Sequence, residues 1–174
     1  MPIRYFTHYW KNSTWKNNAI TVSPVWRGKK AAGKLSHTAG NLFRSKGVTE
    51  GDVVYVITVI DGELRLGGKL VVEKVMGKKQ AAAYLEIPAE RMWDGKDQLL
   101  MSTRTAKYFT PLNKVKKNIV EELQFKSSNG FRPVKFYPDG RIHEQTLRGV
   151  CELTETSAKL LDKSLGEGDK YPQW

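Results

Sequence analysis

Three tryptophans and a few polar side chains near the start of the chain carry the chemistry this sequence could do. Trp10 and Trp15 bracket the stretch HYWKNSTW, and Trp26 follows in the apolar pair Val25-Trp26. Trp15 is flanked by Lys-Asn-Ser-Thr and Lys-Asn-Asn, with no apolar neighbour in sequence. An indole in such a polar, cationic stretch suits base stacking, worth roughly 1–3 kcal/mol per base, and the same ring face can hold a methylated base. Trp15 is therefore expected as one wall of an aromatic cage, with Trp10 or Trp26 as the other. Trp10, at the end of an aromatic run, reads equally well as a core residue. Downstream, Ser36-His37-Thr38 reads as a helix start whose free N–H groups and hydroxyl cap could hold a phosphate. Capping alone would also explain Ser36. His37 is a candidate for a base edge or an ordinary surface residue, and Asn41 could both donate to and accept from a base.

Charge points the same way. The chain of 174 residues holds 29 Lys and Arg against 18 Asp and Glu, a net +11. The first 49 residues hold nine basic side chains and no acidic one, so most of the excess lies in this third. A second acid-free window runs from Gln98 to Val120. Concentrated positive charge attracts polyanions, against the plainer alternative of a solvated basic face. Lys11, Lys16, Arg44, Lys46, Arg104, Lys114, Lys116 and Lys117 are the candidate phosphate contacts, which position a strand without reading it.

Catalysis finds less support. Glu121-Glu122 and Asp94 with Asp97 could supply acid and base, but adjacent residues on a strand point to opposite faces. Cys151 with His143 could form a nucleophile and base, yet a lone cysteine is more often buried and inert. Leu66-Gly67-Gly68-Lys69 lacks the spacing of a phosphate-cradling loop. The three histidines are far apart and only one cysteine is present, so neither a disulfide nor a zinc site is expected. No metal, cofactor or catalytic residue is expected. The start MPIRYFTHYW is too short and polar for a signal peptide, and no apolar run approaches the roughly 18 residues of a membrane span. A cytoplasmic protein without a membrane partner is the expectation.

The elements that must position these residues read as follows. Residues 3–10 suit a strand, with Tyr5, Thr7 and Tyr9 on one face and Phe6, His8 and Trp10 on the other. Lys11 to Lys34 reads as a long loop. Leu35, Ala39 and Leu42/Phe43 recur at helical spacing, with Gly47 as the stop. VVYVITVI (53–60) reads as a buried strand, Asp61-Gly62 as a tight hairpin turn, and Gly67-Gly68 as a bulge in the returning strand. Further strands are expected near Ala83–Ile87, Gln98–Ser102 and Ile119–Phe125, with a turn at Pro138-Asp139-Gly140. A last helix runs from an N-cap at Thr154 to a stop at Gly166. Many short strands with few helices predict one α+β domain over 1–174, built on a small, strongly bent barrel.

The stretch Gly47-Val48-Thr49-Glu50-Gly51-Asp52-Val53-Val54-Tyr55-Val56, followed by Leu66-Gly67-Gly68-Lys69-Leu70-Val71-Val72, resembles the PUA-like superfamily. Within it, the aromatic first strand, LSHTAGNLFRSKGV and Thr146-Leu147-Arg148-Gly149-Val150-Cys151-Glu152-Leu153-Thr154 look most like the EVE branch, relatives of the YTH readers and similar to EVE modules fused to HNH nucleases. The resemblance covers most of the chain. It implies a small β-barrel flanked by helices that takes a flipped, often modified base into an aromatic cage. No nuclease motif accompanies these residues, so a cleaving partner would be a separate chain. The stretch from Lys16 to Lys34 matches no part of the pattern, which leaves Trp26 without a counterpart. The resulting expectation is a nucleic-acid binder, DNA before RNA, acting against modified foreign DNA. An RNA-binding PUA-like protein, a nucleic-acid-processing enzyme and a protein-interaction module stand as alternatives.

Overall fold

The computed structural model describes residues 1–21, 34–101 and 104–168. Its centre is a hairpin dictated by local sequence. Strand β3 (Val53–Ile60) turns at Asp61-Gly62, both with positive φ, into β4 (Glu63–Val71), the backbone that a two-residue turn of this composition favours. The register shifts between Val56 and Ile57, where Val56 faces Gly68 and Ile57 faces Leu66, so Gly67 is the extra residue of a bulge.

β1 (Tyr5–Tyr9) pairs parallel with β3 and antiparallel with β9 (Val150–Leu153). With β7 (Gln124–Ser127) and β8 (Gly130–Pro133) these form a six-stranded sheet in the order β4-β3-β1-β9-β7-β8. A second sheet has the order β2-β6-β5, from β2 (His37–Gly40), β5 (Lys74–Gly77) and β6 (Asp97–Leu100). Four α-helices, α1 (Asn12–Thr21), α2 (Lys78–Leu85), α3 (Lys117–Glu122) and α4 (Glu155–Gly168), complete an α+β fold. The two sheets do not close into a barrel among the described residues.

β3 explains the unbroken apolar run VVYVITVI. Val53, Tyr55, Ile57 and Val59 enter the core shared with α3 and α4, whereas Val54 and Val56 enter clusters on the opposite face, with Phe6, Phe43 and Leu99 and with Trp10 and Trp15. A strand buried on both faces has no reason to alternate. α4 is tied to this centre through Tyr55, whose hydroxyl donates to Asp162 at 3.0 Å, and through the Lys69–Asp162 ion pair at 2.7 Å. Thr154 caps α4, its Oγ1 accepting from the Ser157 N–H at 3.2 Å.

Several expectations fail, each for a tertiary reason. Residues 12–21 of the expected loop form α1, anchored by the buried Trp15 and by Asn12, whose Oδ1 accepts from the Thr58 hydroxyl at 3.0 Å. The expected helix after Leu35 is the strand β2 followed by a turn through Asn41–Gly47, because Thr38 and Ala39 pair with Leu99 and Gln98 of β6. Ala83–Ile87 lies in and just after α2, and Ile119–Phe125 divides between α3 and β7. The last helix continues through Gly166 to Gly168.

Candidate functional site

Phe6 and His8 on β1, with Trp10 just after its end, face the smaller sheet, and β2 meets them with Thr38, which is wholly buried. The Trp10 indole N–H donates to Thr38 Oγ1 at 3.0 Å, and His8 Nδ1 lies 3.0 Å from the same oxygen. A hydroxyl that accepts from an indole has its own proton to give, so Thr38 donates to an unprotonated Nδ1 and His8 carries its hydrogen on Nε2. Burial pushes the His8 pKa down to about 4, which keeps the ring neutral. The floor of the site is thus a buried, uncharged polar cluster.

Trp10 meets Trp15 at 6.3 Å, Phe109 at 5.4 Å and Trp93 at 5.1 Å between ring centres. Trp15 is only 2% exposed, and its indole N–H donates to the Pro111 carbonyl at 3.3 Å. The polar loop expected around Trp15 is the helix α1, and the ring expected as a cage wall is a buried support behind Trp10 and Phe109. The Trp10–Trp15 and Trp10–Trp93 pairs are edge-on, with both interplanar angles 75°. Neither pair forms a slot of parallel rings. Trp26 lies outside the described residues.

On the outer side of β2, His37 Nε2 stands 2.6 Å from Gln98 Oε1. The Gln98 amide donates to the Gly95 and Trp93 carbonyls at 2.9 and 3.3 Å. Its oxygen therefore accepts, His37 must donate from Nε2, and Nδ1 remains an acceptor. Burial lowers the His37 pKa, with Gln98 opposing. Trp93, half-buried, lies 5.5 Å from the His37 ring and wraps the edge of β2 to reach Trp10 as well. Gly95 lets its loop approach: it has φ +157, and a Cβ there would stand 2.7 Å from the Gly40 nitrogen. Asn41 holds the same loop, its Oδ1 accepting from the Lys96 N–H at 2.9 Å.

The expected residues thus divide. Trp10, Ser36 and His37 converge, but Ser36 lies beside a strand rather than at a helix start, its carbonyl accepting from the Met101 N–H at 2.8 Å. The phosphate site expected from a helix N-terminus there does not exist. Asn41 is exposed, with its carbonyl oxygen engaged. Trp93 and Gln98 were not singled out from sequence; their signal was an aromatic before the Asp-Gly turn that opens β6.

The basic candidates also separate. Lys11 and Lys16 are exposed beside Trp10 and Trp15, and Arg104 is exposed in the segment leading to Phe109. Arg44 is tied to Asp97 at 3.4 Å and Lys114 to Glu63 at 2.6 Å. Lys116 and Lys117 open α3, Lys117 with its Nζ 5.9 Å from the Phe136 ring. Lys46 lies near Cys151 on another face. No hydrogen bond joins Cys151 to His143: His143 stacks on Tyr137 at 4.6 Å, whereas Cys151 Sγ is 3.3 Å from Arg132. Burial pushes the thiol up, the opposite of what a thiolate nucleophile needs. Glu121 and Glu122 lie on α3 rather than a strand, and Asp94 is held by Lys78 at 2.8 Å. The described residues hold no group of three or more metal-ligating side chains, and no helix among them is long and apolar enough to cross a membrane.

Comparison with family models, with curated proteins and with solved structures finds no match to this chain.

Proposed function

We propose that this chain is a nucleic-acid-binding domain of the PUA-like, EVE type, which takes a flipped base, preferably a modified one, at the corner formed by Trp93 and His37. The observation that carries the reading is the corner itself, a partly buried Trp93 ring beside a His37 ring held by Gln98, over a buried, uncharged floor. Trp93 offers a half-exposed ring for stacking, and His37 offers an Nδ1 acceptor whose tautomer Gln98 fixes. Such an acceptor suits the exocyclic amino group of adenine or cytosine. Trp10, Trp15 and Phe109 back the corner and hold its shape. The edge-on ring pairs mean that a base would stack on Trp93 from outside rather than slide between Trp10 and Trp15. The exposed Lys11 and Lys16, next in sequence to Trp10 and Trp15, and the exposed Arg104 supply cations for the strand. In this reading the two sheets are an opened form of the small barrel that the resemblance implies. The setting it suggests is recognition of modified foreign DNA, with any nuclease on a separate chain.

Trp93→Ala is the decisive variant, since Trp15 is too deeply buried to remove cleanly. Binding of DNA oligonucleotides with plain and methylated bases, and of the matching RNA, is to be compared for wild type and variant. The expected result is loss of the preference for the modified base, with a fall of about 1–3 kcal/mol in affinity for it. An equal fall for plain and modified oligonucleotides would remove Trp93 as a base reader.

A further inference from the structure

A second polar surface lies away from this corner, where the six-stranded sheet splays. β7 meets β9 only at Phe125 and Leu153, so β9 lacks a strand neighbour on that side from Val150 to Glu152. The gap is a cleft of about 440 Å³, with Cys151 and Val150 at its wall and Lys46, Arg132, Lys135 and Arg148 around it. No carboxylate lines it. Glu144 engages Arg148 at 2.7 Å, whereas Lys46, Arg132 and Lys135 have no carboxylate within ion-pair distance among the described residues.

Three uncompensated cations around one concavity repel each other, and an anion relieves that cost. Arg132 is also held in place: its guanidinium lies 5.1 Å from the Phe125 ring centre, and one terminal nitrogen contacts Cys151 Sγ. A fixed guanidinium offers paired donors to the two free oxygens of a phosphate, and the lysines add point charges. Leu42 and Val150 also line the cleft; they give an apolar wall of the kind a sugar ring packs against. The volume lies in the range of small-ligand sites, ample for one phosphate with its sugar. Burial keeps the thiol protonated, so Cys151 adds no opposing charge.

From this we infer that the Lys46–Arg132–Lys135 cleft is a second anchoring site, which binds a backbone phosphodiester of a nucleic-acid strand irrespective of its bases. The inference rests on the nucleic-acid reading above, and adds to it a sequence-blind contact remote from the base corner.

Cys151 is the single cysteine of the chain, so alkylation by iodoacetamide, run at alkaline pH where the thiol ionises, reports on this cleft alone. An unmodified single-stranded DNA oligonucleotide at about ten times its Kd should slow alkylation about tenfold. Lys135→Ala, at a solvent-facing position, should lower the slope of log affinity against log salt by about 0.7 on the single strand and leave the preference for a modified base unchanged. Four outcomes separate the ideas. Protection together with the altered slope supports the cleft. Binding without protection overturns it and leaves the base corner standing. Absence of any oligonucleotide binding overturns both. Equal protection by polyglutamate would make the cleft a site for acidic protein and overturn the phosphodiester assignment. The wild-type footprint decides between these even if a variant fails to fold.

Discussion

His8 shows how a single residue sets the terms of the corner. Its ring is buried, takes its hydrogen bond from Thr38 and has a pKa of about 4 against an ordinary 6.5. The folded pKa lies below the unfolded one, so the unfolded chain binds the proton first. The stabilisation is complete above about pH 6.5 and is lost as pH falls toward 4, at roughly 1.4 kcal/mol per pH unit within that window. His37 is shifted in the same direction and adds to the slope. Urea unfolding of wild type and His8→Gln at pH 7 and pH 5 measures this. The variant should be less stable at pH 7, because Thr38 loses one of its two side-chain partners, and should show a flatter pH dependence. An unchanged slope would mean that His8 is protonated in the folded protein.

At the scale of elements, the corner depends on how closely α1 and the Phe109 segment approach the β4 bulge. A Cβ on Gly67 would stand 2.2 Å from Phe109 Cε2 and 2.9 Å from Trp15 Cη2. Neither ring has a free direction of retreat, since both are buried against Trp10. Gly67→Ala should therefore destabilise by about 1–3 kcal/mol or more, as overpacking does, and should red-shift or broaden tryptophan emission; a melting temperature equal to wild type would show that the rings can yield. The bulge was legible from Gly67-Gly68 and the hairpin from Asp61-Gly62, because bulges and tight turns are written in two adjacent residues. β2 was not legible. Leu35, Ala39 and Leu42 satisfy a helical period, and only pairing with β6, some sixty residues away along the chain, makes a strand of them. α1 was hidden for the opposite reason: it is polar nearly all round, and Trp15 is the one buried side chain among those described. The same gap concealed the corner. Trp10 and His37 were visible as candidates, but Trp93 and Gln98 gain their roles only when β6 carries them to the edge of β2.

For the whole molecule, the excess charge matters less by its total than by which cations the fold leaves uncommitted. Of the basic candidates, Lys114 and Arg44 are neutralised by Glu63 and Asp97, and surface pairs of this kind contribute little to stability. Lys11 and Lys16 are exposed beside the aromatic corner, in the acid-free third of the chain. A cation that contacts a phosphate releases a counterion, and each such contact steepens log affinity against log salt by about 0.7 for single strands and 0.9 for duplexes. Lys11→Ala with Lys16→Ala should therefore flatten the slope by about 1.4 on single strands, twice the single-contact value. Lys114→Ala should leave it near the wild-type value, since Glu63 already holds that charge. Titrations at a series of salt concentrations provide the comparison. If Lys114→Ala flattened the slope as much as the double variant, affinity would follow net charge alone. A difference confined to the double variant would instead locate the strand along α1, where it can present a flipped base to Trp93.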